Sequence, residues 1–151
     1  MNTLAIYNRL TKLPLGKQIF SKTVCLAAPY FSSIKPKISE LKPGLCQVHM
    51  KKRRRVQNHL KTVHAIAMCN MAELSAGLMM DVSVPKGARW IPAGMEVQYL
   101  KKAKTHLTAV ADGQAIDWQT QGDVMVPVRV TDTQNNLVFS AQVRMNIKHK
   151  S

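Results

Sequence analysis

Residues 58–80 read NHLKTVHAIAMCNMAELSAGLMM. From His64 onward the run is apolar on almost every side of a helix, and only Asn70, Glu73 and Ser75 carry polar groups in its middle. A helix without a polar face is normally buried all round. Thr62 is placed to cap it, with Val63, His64 and Ala65 in the first turn and the body reaching about Met80. The chain holds only eight Asp and Glu against twenty-two Lys and Arg, so a carboxylate here needs a reason. A buried carboxylate without a partner is costly. Asn70, three residues before Glu73, lies on the same face and within reach of it. His64, nine residues before it, falls about half a turn away in angle. The bland alternative is a structural Glu bonded to a backbone donor or an Arg.

Upstream, Cys46, Val48 and Met50 alternate with Gln47, His49 and Lys51, the pattern of a strand. Before it, Pro36 marks a loop and Pro43-Gly44 a turn. Leu4, Ile6, Tyr7, Leu10 and Leu13 keep helical spacing up to the break at Pro14 and Gly16. Ile19, Phe20, Val24, Leu26 and Ala27 suggest a second helix ending near Pro29. Downstream of Pro85-Lys86-Gly87 the signals are all β: Met95, Val97 and Tyr99; Leu107, Ala109 and Ala111; Met125 to Val130; and Leu137 to Ile147. Asn135-Asn136 reads as the hairpin turn between the last two runs. The order is helices, strand, one long helix, then about four antiparallel strands, an α+β chain whose sheet wraps a central helix. Residues 1–34 form an N-terminal helical extension and residues 35–151 the main domain, within one globular unit.

The length of 151 residues suits one domain with a real core. A formal charge of +14 favours polyanionic partners: nucleic acid, an anionic membrane surface or a phosphate-bearing metabolite. The three cysteines, Cys25, Cys46 and Cys69, form no CxxC and no Cys/His cluster, so neither a disulfide framework nor a metal site is expected, and a cytoplasmic location fits. They are expected to be small buried hydrophobes. His49, His59, His106 and His149 show no metal-ligand spacing, and Ser75 has no nucleophile-elbow context. Met68, Met71, Met79 and Met80 are assigned to the core. Asn70, Glu73 and Asp81 interrupt the longest apolar run, so no membrane span is expected.

Asn58, His64, Ala65 and Glu73 resemble the motif of the hotdog-fold acyl-CoA thioesterases, in the branch that includes phenylacetyl-CoA-type enzymes. That motif is an Asn, a His six residues on followed by two Gly, and an acid nine residues after the His; here the intervals are six and nine. Gly77 follows one helical turn after the acid. The resemblance covers roughly residues 40 to 149. Two departures stand out: Ala65-Ile66 replaces the Gly pair, and Glu73 replaces the commoner Asp. The longer side chain moves the carboxylate, and misplacement of about 1 Å can cost about 10²-fold in rate.

The resemblance implies a hotdog fold and hydrolysis of an acyl-CoA or acyl-carrier thioester, with no cofactor beyond the coenzyme A of the substrate. In that reading the Ala65 N–H, at the positive end of the helix, polarises the thioester carbonyl. Glu73 acts as general base on water or as nucleophile. Asn58 holds the water or the carbonyl, and His64 shapes the helix start. The family shares such sites across a dimer interface, so a homodimer, or a homotetramer built of two dimers, is implied, with Asn58 and Glu73 from different subunits.

Lys51-Lys52-Arg53-Arg54-Arg55 is read either as a solvated strand end or as a grip on coenzyme A phosphates, with Arg53, Arg54 and Arg55 as donors. Asn70, Lys101 and Lys102 join them as candidate substrate contacts. A basic nucleic-acid-binding module is the third reading. Three Phe, three Tyr and two Trp, none within the basic run, are few for base stacking, and no nucleic acid is expected. A hotdog protein that binds acyl thioesters without hydrolysing them is the rival the Ala65-Ile66 departure suggests.

Overall fold

The computed structural model describes residues 2–149. Two helices open the chain. In α1 (Thr3–Leu10) the Asn2 side chain accepts from the Ala5 N–H at 3.1 Å, a first-turn cap. The second, α2 (Gly16–Ala27), starts where the backbone folds back on α1. A Cβ at position 16 would fall 1.7 Å from the Leu10 carbonyl oxygen, so only glycine fits there. Leu13 belongs to this break rather than to the first helix and is exposed. A 3-10 turn, Pro29–Ile34, follows α2.

Next come β1 (Lys37–Lys42), β2 (Leu45–Met50), the central helix α3 (Ala65–Ser83), β3 (Arg89–Tyr99), β4 (Leu107–Asp112), β5 (Gly122–Thr131) and β6 (Leu137–Lys148). β1 lies between the loop marked by Pro36 and the turn at Pro43-Gly44, a strand the alternation pattern does not show. The turn at Pro43-Gly44, with Gly44 at φ 78°, joins it to β2 as a hairpin. The six strands form one antiparallel sheet in the order β1-β2-β4-β5-β6-β3. Alternate residues of β5 and β6 face inward, among them Val126, Val128, Val130, Val143, Met145 and Ile147, all essentially buried. α3 touches every strand, so the sheet wraps it as the α+β hotdog reading requires.

The core is continuous: Tyr7 and Phe20 of the N-terminal helices belong to the same buried cluster as Met71, Leu74, Met79 and Met80 of α3. Tyr7 and Phe20 meet edge to face, ring centroids 5.0 Å apart. The four methionines assigned to the core, Met68, Met71, Met79 and Met80, are all in it. Of the cysteines only Cys46 is buried; Cys25 and Cys69 are half-buried, and all three are free. Among the described residues α3 alone has the length and apolarity to cross a membrane, and 61% of that stretch is buried inside the fold.

α3 is not covered on all sides. Ile66 is 53% exposed, Cys69 is half-buried and Glu73 is exposed, a stripe at i, i+3 and i+7 that the sheet leaves largely open, with Tyr99 of β3 reaching Cys69. The expectation of a carboxylate enclosed in the core is therefore corrected. Glu73 stands in the gap between the N-terminal helices and the far edge of the sheet.

Candidate functional site

The helix start decides the site's polar end. The cap is His64, not Thr62: His64 is extended, at φ −65° and ψ 138°, and its Nδ1 accepts from the Ile66 N–H at 3.0 Å. The His64 carbonyl takes the N–H groups of Ala67 and Met68. Among the described residues the Ala65 N–H has no acceptor, and the first turn carries no acidic residue. The positive end of a 19-residue helix is left uncompensated there.

Thr62 and Asn58 instead brace the preceding loop. Asn58 Oδ1 accepts from the N–H groups of Leu60 and Thr62, at 3.0 and 3.1 Å, while its amide meets the Thr62 hydroxyl at 2.9 Å. Lys61 takes a positive φ of 59° to close this turn. The Asn58 side chain is thus occupied within its own loop.

Asn70 turns away from Glu73. Its amide donates to Ser33 Oγ at 3.1 Å, tying α3 to the 3-10 turn. The residue is only 8% exposed, yet its Oδ1 has no partner among the described residues. A buried, unpaired amide oxygen forgoes about 1–3 kcal/mol. Glu73 likewise makes no hydrogen bond or ion pair among the described residues. The two residues do share a cavity. It measures about 290 Å³ and is lined by Ala28, Pro29, Tyr30, Phe31, Asn70 and Glu73.

This cavity is the middle of three. Toward the start of α3, Tyr30 and Asn70 also line a recess of about 160 Å³ that reaches Arg55 and His64. In the other direction, Ala28, Phe31 and Glu73 also line a chamber of about 550 Å³ between α1, α2 and α3. Polar groups thus gather at one end, the carboxylate sits in the middle, and beyond it the walls are mostly apolar as far as Asp81. The 3-10 turn supplies Tyr30 and Phe31 to this row. PYFSSI carries no periodic pattern, so nothing in the sequence pointed to it.

The basic residues divide in the same way. Val63 N–H donates to the Ala103 carbonyl at 2.8 Å and Lys52 N–H to His106 Nδ1 at 3.0 Å. These bonds bring residues 51–63 and 100–106 together beside the start of α3. Arg54 and Arg55 are exposed, and Arg55 faces the recess. Arg53 is a strut: its guanidinium donates to the Ser33 carbonyl, and its Nε is buried. Lys101 and Lys102 stand exposed on the neighbouring loop. Lys101 lies near Asp132, whose carboxyl is held low first by the Asn136 amide and also by this lysine. Two ion pairs form among the described residues, Lys42–Glu40 and Arg144–Asp123, so most of the positive charge is unneutralised.

On the other flank of α3, Cys69 Sγ lies 3.7 Å from Tyr99 Oη, and this contact, with burial, raises the Tyr99 phenol. Further along, Trp90 Nε1–H donates to Asp81 Oδ1 at 2.8 Å and lays its indole over Gly77, where a Cβ would meet the ring at 3.0 Å.

Comparison with known proteins places this arrangement. The chain is similar to the structure designated genomics APC5556, at 44% identity and a TM-score of 0.89, over 98% of this chain and 99% of that one. It shares its fold with a thioesterase from Haemophilus influenzae, at 14% identity and a TM-score of 0.74, over 84% and 87% of the two chains. It also shares it with a mutant of a thioesterase enzyme from Staphylococcus aureus, at 16% identity and a TM-score of 0.70, over 80% and 98%. No curated protein matches it. The fold is that of hotdog thioesterases, and over residues 16–147 the chain matches, and belongs to, the family described as domain of unknown function DUF4442.

Proposed function

We propose that the protein hydrolyses acyl thioesters, acyl-CoA foremost, with Glu73 as the reacting carboxylate. One observation carries this. Glu73 is exposed and, among the described residues, unpartnered in the middle of an apolar helix, where it lines both the cavity it shares with Asn70 and the apolar chamber. Eight residues of helix separate it from Ala65, about 12 Å along the axis. One chain therefore cannot bring the carboxylate and the helix N-terminus to the same carbonyl. A second copy supplies the missing half, so the working unit is a homodimer, alone or as half of a tetramer. The uncovered stripe of α3 and the unpaired outer edge of β3, with Ile91 and Tyr99 exposed, are the surfaces such a copy would cover.

In the proposed reaction the partner copy's Ala65 N–H polarises the thioester carbonyl. Glu73 takes a proton from water, whose oxygen adds to the carbonyl carbon. Collapse breaks the C–S bond, and the thiol leaves with that proton. Direct attack by Glu73 reaches the same acid and thiol through an anhydride that water then opens. Arg54, Arg55, Lys101 and Lys102 are exposed cations available for the coenzyme A phosphates, whereas Arg53 is committed to the 3-10 turn. The test is hydrolysis of an acyl-CoA panel followed by thioester absorbance, wild type beside Glu73→Gln. A loss of about 10³-fold or more in kcat with the oligomer intact is expected; unchanged turnover removes Glu73 from the chemistry.

A second reading has its own observation. Asn58 is consumed by its loop, and Ile66 stands exposed where the resembled motif has glycine. Both suit a protein that binds the thioester without hydrolysing it. Saturable binding of acyl-CoA with no turnover in the wild type would select this reading.

A further inference from the structure

We infer that the chamber under the N-terminal helices holds the acyl chain and commits the protein to long, unbranched fatty acyl thioesters. The head-group chemistry rests on the thioesterase reading; the chamber's occupancy does not, and the experiment separates the two. The chamber is walled by Ile6 of α1, Phe20 and Val24 of α2, Phe31 of the 3-10 turn, Leu74 of α3 and Trp90 of β3. Its volume of about 550 Å³ lies within the roughly 300–1,000 Å³ of small-molecule sites. Glu73 stands at one end and Asp81 at the other, eight residues along α3, or about 12 Å.

Three features choose the occupant. The Glu73 and Asp81 carboxylates stand at the chamber's ends, the Trp90 indole N–H is already given to Asp81 and the Thr23 hydroxyl to the Phe20 carbonyl, and the walls between are mostly aliphatic and aromatic. A nucleotide, sugar or peptide would lose its own hydrogen bonds to water there. The chamber shares Ala28, Phe31 and Glu73 with the neighbouring cavity, so an occupant's head can lie at the carboxylate while its tail lies inside. A short or phenylacetyl-sized acyl group would leave most of the space empty, and a void forfeits the contacts of its lining atoms. Gly77 keeps the floor open: any side chain there would press on Trp90. The helices that precede the hotdog sheet are therefore part of the substrate site.

Non-hydrolysable thioether analogues of coenzyme A with butyl, octyl and hexadecyl chains, kept below their micelle concentrations, test this by calorimetry on the full-length protein. Affinity is expected to rise about fourfold per methylene until the chamber is full. Ala27→Phe and Thr23→Phe, both at exposed positions on the chamber wall, should each cut the preference for hexadecyl over butyl by roughly tenfold or more. Leu26→Ala, on the outer face of the same helix, should leave the preference intact. Circular dichroism checks the fold of each variant. Equal affinity for all chain lengths, or a preference untouched by both plugging variants, overturns the inference even if short thioesters are hydrolysed. Long-chain binding that the plugs abolish, without turnover in the wild type, keeps the chamber and discards the thioesterase.

Discussion

The sheet has two edges, and the chain treats them in opposite ways. At β1 the N-terminal helices attend to the backbone. Ser21 Oγ accepts from the Ile38 N–H at 2.8 Å, and Tyr7 Oη donates to the Ser39 carbonyl at 3.0 Å, where β1 bulges. Ser21 and Tyr7 are themselves buried. At β3, eleven residues long, no element among the described residues pairs with the outer side. Ile91 is 62% and Tyr99 54% exposed. An unprotected edge of that length is a template for association. One edge is closed from within by side-chain hydrogen bonds, and the other is left bare. The same helices that close β1 roof the apolar chamber, so protection of an edge and construction of a cavity come from one segment.

The largest effect is expected at the bare edge. Ile91→Lys with Tyr99→Lys places cations on both faces of an edge that a two-fold axis would set against itself. Dimer dissociation should rise by roughly 100-fold or more, read by sedimentation velocity. Any thioesterase activity should fall with the dimer, since the proposed reaction draws Ala65 and Glu73 from different copies. An unchanged sedimentation profile would place the interface elsewhere.

The closed edge should respond in stability instead. Ser21→Ala strands the buried Ile38 N–H, at a cost of about 1–3 kcal/mol, seen as a lower urea midpoint with the oligomeric state unchanged. Tyr7→Phe should cost less, about 1 kcal/mol, because a carbonyl losing one donor is penalised less than a lone N–H. If either change dissolved the dimer before the fold, the two edges would not be the independent surfaces described here.

Legibility in the sequence followed the same division. α3 and the β5–β6 hairpin were readable because their apolar periods run unbroken over ten residues or more. β1 was hidden: the bulge at Ser39 puts Ile38 and Leu41 out of strict alternation, and Pro36 and Pro43 flank it like a loop. Glu73 could be singled out because a carboxylate is rare in this chain. Its exposure could not, because that depends on where the sheet stops wrapping α3. The cap at His64 is hidden because Thr62 suits the role by type and histidine ordinarily does not; the positive φ at Lys61, which turns Thr62 toward Asn58, has no sequence mark. Arg53 and Arg55, two residues apart in one basic run, part company only when the fold places Ser33 against Arg53.

The smallest expected effect concerns how the bare edge is pinned. β3 is anchored near its start by Trp90, which Asp81 holds against Gly77. Burial raises the Asp81 carboxyl above its usual value, and the Trp90 N–H only partly offsets this. A carboxyl raised in the folded state contributes most below the unfolded pKa of about 3.9. That contribution is lost as pH rises through the folded value, so at neutral pH the ionised side chain is a small liability. Asp81→Asn keeps an oxygen to accept from Trp90 and removes the ionisation. Its thermal midpoint should equal or slightly exceed wild type at pH 7, with the difference shrinking toward pH 4. A variant less stable at pH 7 than at pH 4, relative to wild type, would mean that the charge itself strengthens the Trp90 contact. The anchor of the bare edge would then be an ionic hydrogen bond rather than a packed indole with a neutral acceptor.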